Sequence, residues 1–312
     1  MLSQADYEPN FTVLNRGGGK RAVTFNAKML NESLIKAALF LCAISSIGIV
    51  FFIVAYMFYI GYPVIIQWFG RGFGGMNPLI YNTLYVGIGG TSLGAVIGIP
   101  CAIYLAEFAD MRIRNMIKPT LEVLNGFPSV VLGMVGFALV CFTVQRYTGG
   151  ASGTFYCILA AWIVLGIMSL PLITSVSEDS LRAVPQDQRE ASLGLGATKW
   201  QTTIRVLIPG AMSGILTALI LALGNAIGET MAVLAVIGVS SQPPISLNPL
   251  VSSNVITAVI ANGYEEVSWG SLSFDYLFAA GFILFLMVIL LNVAARTIVS
   301  TQNTYRGGGS NT

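Results

Sequence analysis

Six long apolar stretches constrain this chain more than any other feature, because each is long enough to cross a bilayer. A helix spans the hydrocarbon core with about 20 apolar residues, and runs of this kind recur along the sequence. Only 10% of the residues are charged, against about a quarter in soluble domains. The pattern predicts an all-α, polytopic membrane protein. The predicted spans are 36–60, 80–107, 126–145, 154–176, 209–239 and 276–298.

The basic residues predict which side each span faces, because Lys and Arg are enriched in cytoplasmic loops. Six spans put both termini on one side. With the N-terminus inside, 14 of the 16 Lys and Arg residues are cytoplasmic, and only Arg71 and Arg146 are outside. We therefore expect a multi-pass protein of the cytoplasmic (inner) membrane. It has cytoplasmic tails over 1–33 and 301–312 around a six-span domain over 34–300.

The residue inventory excludes several kinds of chemistry. The chain contains no histidine, which removes Ser-His-Asp catalysis, histidine-ligated zinc and histidine proton relays. Four cysteines lie inside apolar runs without paired spacing, and we interpret them as small buried hydrophobes. The RGGGKR run at 16–21 is not a P-loop, because the upstream Gly is missing and Arg follows the Lys. We expect no catalytic centre, metal, cofactor or nucleic-acid partner.

A polar, basic interruption, Glu190–Pro209, separates the fourth and fifth apolar stretches, so it lies in water beside the membrane. Gly196 is suited to end a short helix, because Gly takes positive φ without strain. A second helix then begins, and Pro209 is expected to start the next span rigidly. The sequence predicts a stiff helical elbow, within 177–209, that contacts a soluble partner. An ordinary cytoplasmic helical hairpin is the alternative.

Two spans carry small residues at every fourth position, a spacing that lets helices approach closely in lipid. In the second span these are Gly90, Gly94 and Gly98. The fifth span has a longer stripe, from which we select three residues as candidate helix-packing positions. They are Gly214, Ala218 and Ala222. The fifth helix is therefore predicted to be central, either at a subunit interface or lining a pathway.

The fifth span also carries a carboxylate, Glu229. If the span is one helix, Asn225 and Glu229 share a face, and Glu229 lies roughly 30 Å beyond Pro209. A carboxylate inside a membrane is costly and usually functional, although an interfacial Glu that touches lipid headgroups is the alternative. We expect Asn225, Gly228, Glu229 and Thr230 to line a substrate path.

The segment between the fifth and sixth spans, 240–274, is predicted to lie on the outer side. Asn248 followed by Pro249 is typical of a helix N-cap with Pro at the first helical position. We expect a helix from there to about Ala261. It is either a surface helix that covers the outer mouth or a substrate gate.

The elbow resembles the EAA loop of ABC importer permeases. Glu190-Ala191-Ser192, Gly196 and the closing Val206-Leu207-Ile208-Pro209 have the spacing of that motif. The resemblance implies the type I permease fold and contact with cytoplasmic ATPase subunits, which hydrolyse the ATP. The residues implied in coupling are Glu190, Ala191, Gly196, Ala197 and Pro209.

The run GNAIGETMAVL at 224–234 resembles the fifth span of phosphate importer permeases of the PstC type. The runs YLAEFA at 104–109, FPSVVLG at 127–133 and the 180–198 segment agree with this family, and the resemblance covers about 76–300. It implies a pseudo-twofold pair with a PstA-like permease, two ATPase subunits, an extracytoplasmic phosphate-binding protein and contact with membrane lipid. Asn225 departs from the family, which commonly has Arg there.

Other functions stay open at this level. A molybdate, tungstate or sulfate importer shares the elbow but usually lacks the Gly-Glu-Thr-Met-Ala-Val run. A secondary transporter or channel needs its own ion site, and the sequence shows neither broken helices in matching halves nor a second membrane carboxylate. A membrane enzyme needs an acid–base or metal cluster that the sequence lacks.

Overall fold

The computed structural model describes residues 24–70, 76–148, 155–238, 245 and 247–307. Within these ranges six helical segments are long and apolar enough to cross a bilayer, which confirms the predicted all-α, six-span class. The segments are Ser33–Trp68, Asn77–Phe108, Ser129–Tyr147, Ile158–Arg182, Lys199–Gly228 and Leu272–Thr297. The helices are α1 (Thr24–Gly70), α2 (Asn77–Ile103), α3 (Met111–Asn125), α4 (Ser129–Gly136), α5 (Phe142–Thr148), α6 (Ile158–Arg182), α7 (Gln186–Gly194), α8 (Lys199–Thr202), α9 (Ile208–Gly228), α10 (Met231–Ile237), α11 (Ile256–Gly263) and α12 (Leu272–Gly307).

The chain divides into two compact units, Met1–Ala55 and Tyr56–Thr312. In the first unit, α1 begins at Thr24, inside the predicted tail, and the rest of that tail lies outside the described residues. Helix α1 begins before the predicted first span because residues 24–47 contain no Gly or Pro that would end a helix. At the other terminus, α12 continues to Gly307, so part of the predicted 301–312 tail is helical.

The second unit is built around the contact between α2 and α6. A Cβ added to Gly90 would lie 2.5 Å from Leu165 Cβ, and one added to Gly98 would lie 3.0 Å from Ile173 Cγ2. The missing side chains therefore let the two helices approach closely. Thr174 Oγ1 also donates a hydrogen bond to the Gly98 carbonyl oxygen at 3.3 Å.

The third span is preceded by a helix that no sequence pattern predicts. This helix, α3, carries basic residues and packs beside the C-terminal end of α6 through Arg114 and Lys118. It ends at Asn125, and Pro128 then has a non-helical backbone before α4 begins. The apolar residues of 126–145 predict the position of the third span correctly. Helix α3 is too polar to be found by hydropathy, so it is not predicted.

The prediction of one continuous fifth helix through Glu229 is wrong. Helix α9 ends at Gly228, Glu229 has extended backbone with φ −68° and ψ 128°, and α10 resumes at Met231. Two hydrogen bonds stabilise the break: Thr257 Oγ1 donates to the Glu229 carbonyl oxygen, and the Ala232 N–H donates to Glu229 Oε1. Partners outside the helix thus satisfy groups that a continuous helix would bond internally.

The predicted outer helix over 248–261 is also wrong at its start, because α11 begins at Ile256. Asn248 does accept a hydrogen bond from the Leu250 N–H at 3.0 Å, but this closes an Asx turn. The carbonyl oxygens of Pro249 and Val251 accept the N–H groups of the first turn of α6, at 2.8 and 3.1 Å. Those carbonyls are therefore not available to a helix over 248–255.

A hydrophobic core around the N-terminal part of α6 joins α2, α6 and α10, and it includes Cys141 and Cys157. These two thiols are buried, as the sequence predicts, and Cys101 is partly buried. Cys42 is exposed, so the interpretation of all four cysteines as buried residues is wrong there. It lies on a helix whose described side chains up to Ala55 are almost all exposed.

Candidate functional site

The elbow consists of two short helices that meet at a left-handed glycine. Helix α7 ends at Gly194, and Gly196 has φ +84°, as its position after the helix predicts. Thr198 then opens α8 with a capping box, in which its hydroxyl accepts the Gln201 N–H at 3.2 Å. A hydrogen bond of 3.0 Å between the hydroxyls of Ser192 and Thr202 joins the two helices. The elbow is therefore stiffened at both ends of its turn.

Pro209 lies in the first turn of α9, as predicted, but the span itself begins earlier than Pro209. The helical path runs without a gap from Lys199 to Gly228, with one π-helical turn over Thr203–Leu207. The Ile208 N–H bonds to the Thr203 carbonyl oxygen, five residues back. The capping box starts the helix at Lys199, ten residues before Pro209. The π-helical turn lies just before Pro209, which has no N–H group to donate.

The residues implied in coupling lie in two places. Glu190 and Ala191 are exposed on α7, where the Glu190 carboxylate accepts a hydrogen bond from Gln186 Nε2 at 2.8 Å. Gly196 and Ala197 form the turn. Pro209 lies apart from them and lines a cavity of about 630 Å³, together with Gln188 and Arg205. The turn also carries Leu195, which is 90% exposed.

The C-terminal end of the second span contacts both helices of the elbow. Glu107 forms an ion pair with Arg189 of α7, and the Glu107 side chain is 2% exposed. Phe108 packs against Trp200 of α8, with ring centroids 6.2 Å apart, and Lys199 Nζ lies 5.1 Å from the Phe108 ring centre. From the sequence alone, Glu107 and Phe108 belong to the YLAEFA run at 104–109 and have no predicted role.

A second buried carboxylate, that of Glu178 in α6, forms ion pairs with three basic side chains. Its oxygens lie 2.8 Å from Arg114 Nε, 3.0 Å from Arg182 Nε and 3.4 Å from Lys118 Nζ. The Glu178 side chain is 1% exposed. The predicted fourth span ends at 176, which leaves Glu178 in a loop, although its i,i+4 spacing to Arg182 is a signal that the sequence contains.

Two of the four candidate substrate-path residues line a cavity of about 740 Å³ at the break of the fifth span, and Gly228 and Thr230 do not. Asn225 and Glu229 line it, as do polar side chains from the α3–α4 turn and from α12. Among its described lining residues none is basic. The polar lining residues are Asn125, Ser129, Asn225, Glu229 and Asn292.

Gly228 and Thr230 flank the carboxylate at the break. A Cβ on Gly228 would meet nothing within 4 Å, and Thr230 Oγ1 donates to the Gly228 carbonyl oxygen at 3.3 Å. Thr230 therefore bonds to the backbone of the break itself, and Glu229 is the ionisable group among the four predicted path residues.

The small-residue stripe of the fifth span divides between two surroundings. A Cβ on Gly214 would collide with the Ser180 hydroxyl of α6, and Ala218 and Ala222 are fully buried. Gly224, in contrast, lines the cavity, and a Cβ there would meet nothing within 4 Å. One side of α9 thus packs inside this chain while another faces the cavity. Among the described residues, no group of three His, Cys, Asp or Glu side chains could hold a metal ion.

Comparison with known proteins gives the family. Residues 98–302 match the family described as "Binding-protein-dependent transport system inner membrane component". The probable ABC transporter permease protein YqgH of Bacillus subtilis is 34% identical over 228 residues, 73% of this chain and 72% of that protein. The phosphate transport system permease protein PstC of Mesorhizobium japonicum is 36% identical over 241 residues, 72% of each chain. PstA 2 of Mycobacterium bovis is 34% identical over 224 residues, 71% of this chain and 70% of that protein.

Solved structures share the fold. An inward-facing MetNI methionine ABC transporter has a TM-score of 0.56 at 20% identity, covering 72% of this chain and 94% of its own. A bacterial ABC transporter involved in the import of alginate has a TM-score of 0.53 at 17% identity, covering 87% and 98%. These likenesses confirm the type I ABC importer permease fold. Because the family match spans more than half of the sequence, the chain belongs to the inner membrane components of binding-protein-dependent transport systems, the permeases of ABC importers.

Proposed function

We propose that this chain is a permease subunit of an ATP-driven phosphate importer, of the PstC type. The relatives named PstC and PstA support phosphate as the substrate, as does the GNAIGETMAVL run at the break of the fifth span. The chain would act in the cytoplasmic membrane, surrounded by lipid and with both termini in the cytoplasm. Its partners would be a PstA-like permease, two ATPase subunits and an extracytoplasmic phosphate-binding protein.

One observation carries the mechanism: a continuous helical path of 30 residues, Lys199–Gly228, joins the elbow to the cavity. The elbow presents Leu195, 90% exposed, and Trp200, 57% exposed. Exposed apolar side chains in a polar cytoplasmic segment favour contact with a protein partner. ATPase closure would push the elbow, and α9 would transmit that movement to Glu229 at its outer end. The cavity would then alternate between the two sides of the membrane.

The charge of the cavity requires an explanation, because a bare carboxylate repels phosphate and Asn225 cannot neutralise it. A basic residue of the partner permease would pair with Glu229, since this chain has no Lys or Arg between Arg205 and Arg296. Asn225 and Thr230 would then offer neutral hydrogen bonds to the anion.

The alternatives differ in substrate and in energy source. A molybdate, tungstate or sulfate importer would use the same elbow with another anion. A secondary transporter would not need ATP. The break of the fifth span at Glu229 weakens the sequence argument against a secondary transporter, but the family membership favours ATP-driven import.

The test is uptake of radiolabelled phosphate into liposomes that contain the complete complex, with ATP enclosed and the binding protein outside. We expect uptake that requires ATP and is not competed by sulfate, molybdate or tungstate. Uptake of one of those anions in place of phosphate would reassign the substrate. Uptake that persists without ATP would contradict the proposal that ATP drives the import.

A further inference from the structure

The end of the second span lies in the angle between the two helices of the elbow. Glu107 reaches α7 through its ion pair with Arg189. The adjacent Phe108 reaches α8 through Trp200 and Lys199. Consecutive residues of one helix end therefore contact both halves of the elbow. Movement of either half changes the environment of the same two side chains.

The same helix end is also tied to the fourth span. Arg182 donates through Nη2 to the Leu105 carbonyl oxygen at 3.1 Å, and its Nε donates to Glu178 Oε1 at 3.0 Å. Glu178 in turn accepts from Arg114 Nε of α3 at 2.8 Å. A series of contacts thus leads from α7 to the end of the second span through Glu107, and from there to α6 and α3 through the Leu105 carbonyl oxygen and Arg182.

The Glu107–Arg189 contact has features of a positioning device more than of a stabilising one. A buried ion pair loses much of its attraction to desolvation, so it adds little net stability but penalises any change that separates the charges. The Glu107 residue is 8% exposed, and its Oε1 has no hydrogen-bond partner in the described part of the chain. The carboxylate therefore depends on Arg189 through Oε2.

We propose that Glu107 and Arg189 are positioning residues for transport, which make the cytoplasmic end of the second span move together with the elbow. This inference rests on the proposed function, because it assumes that the ATPases act on the elbow. Movement of the elbow would then be transmitted by two routes, through α9 and through α2. Whenever the elbow moves α9, it would also move α2, and α6 with α2. Loss of the contact would let the elbow move while α2 stays behind.

The test compares ATP hydrolysis and phosphate uptake in the same proteoliposomes. Glu107→Gln keeps the side-chain shape but removes the charge. We expect assembly and ATP hydrolysis as in the unmodified complex, with uptake per ATP lower by about tenfold, in the range typical of coupling between sites. The charge exchange Glu107→Arg with Arg189→Glu should restore a large part of the uptake. Asp179→Asn is the matched control, because Asp179 is 66% exposed and pairs with Lys118 on the same surface.

Three results would overturn the inference: an unchanged uptake per ATP in Glu107→Gln, a parallel loss of hydrolysis and uptake, or an equal loss in Asp179→Asn. If the unmodified complex took up no phosphate, the proposed function would fail instead, so the two failures are distinguishable.

A cross-link gives a second test that does not depend on the charge variants. In a background without the four native cysteines, Glu107→Cys and Arg189→Cys are combined and joined by a short bismaleimide. If the two positions move together, the cross-linked complex should transport more phosphate per ATP than the same double-cysteine complex before cross-linking. If they separate during the cycle, cross-linking should block uptake, and the inference would be wrong.

Discussion

Gly94 of α2 lies directly against Gly166 of α6: a Cβ added to Gly94 would stand 2.9 Å from the Gly166 carbonyl oxygen and 3.0 Å from Ser169 Cβ. The backbone atom cannot move aside easily, so Gly94→Ala should overpack the contact and lower the free energy of unfolding by about 1–3 kcal/mol. Titration of the purified protein with a denaturing detergent measures the change.

Gly48→Ala is the control for this substitution, because it adds the same methyl group where nothing lies within 4 Å. It should be neutral, or stabilising by up to about 1 kcal/mol through helix propensity. Equal destabilisation by both variants would mean that the approach of α2 and α6 is not what the glycine provides.

The contact between Gly214 and Ser180 predicts a pairwise effect. Gly214→Leu should disrupt assembly, and so should the same change at Ala218 or Ala222, because each added side chain enters the packed side of α9. Gly214→Ala should be partly rescued by Ser180→Gly, which removes the colliding side chain. Leu219→Met, outside the small-residue stripe, is the control. Equal yields of assembled complex for the two groups would contradict a packed α9.

Sequence patterns predict the parts of the fold that depend on neighbouring residues. Apolar length identifies the six spans, and the left-handed backbone of Gly196 follows from its place after a short helix. The break at Glu229 depends on Thr257, which lies 28 residues further along the chain. No local pattern contains that hydrogen bond, so sequence patterns predict a fifth helix that continues through Glu229.

In the candidate site, too, only the residues that a local sequence pattern marks are predictable. Asn225 and Glu229 are predictable as path residues from their chemistry, and both line the cavity. Asn125, at the end of α3, and Asn292, in the sixth span, are not, because only the folded chain brings them to the same cavity. Glu107 is missed for the same reason, since its partner Arg189 is 82 residues away.

Two adjacent carboxylates on α6 should differ sharply in their importance. Glu178 is 1% exposed and surrounded by cations, whereas Asp179 is 66% exposed. Glu178→Ala should destabilise the protein by about 3 kcal/mol, because it leaves Arg114 and Arg182 near one another without a counter-charge. Asp179→Ala should change stability by less than about 0.5 kcal/mol, as is usual at the surface. Similar unfolding free energies for the two variants would contradict the arrangement around Glu178.

The elbow should tolerate a side chain before its turn but not in it. Gly196→Val places a β-branched residue at φ +84°, which costs about 1–2 kcal/mol locally, whereas Gly194→Val adds the same side chain to the end of α7. Gly196→Val combined with Glu190→Lys should reduce co-purification of the ATPase subunits while membrane insertion stays intact. Normal co-purification and transport by the double variant would show that the elbow does not bind the ATPase.

Glu229 has two separable roles: its Oε1 accepts the Ala232 N–H at 3.2 Å, and its charge faces the cavity beside Asn225. Glu229→Gln keeps an acceptor oxygen but removes the charge. Glu229→Ala removes both, and loss of such a capping bond costs about 1 kcal/mol. The Ala variant alone should therefore lower the free energy of unfolding. Glu265→Gln, at an exposed carboxylate outside the cavity, is the control.

In transport, Glu229→Gln should reduce phosphate uptake modestly, by about fivefold, because it removes one half of a charge pair formed with the partner permease. If that partner supplies the positive charge, removing its basic residue should reduce uptake further, and Asn225→Arg in this chain should restore part of the loss by placing a cation in the same cavity. Uptake by the reconstituted complex, with and without the partner's charge, is the measurement that tests this charge pair. Undiminished uptake without that basic residue would contradict a charge pair between Glu229 and the partner permease.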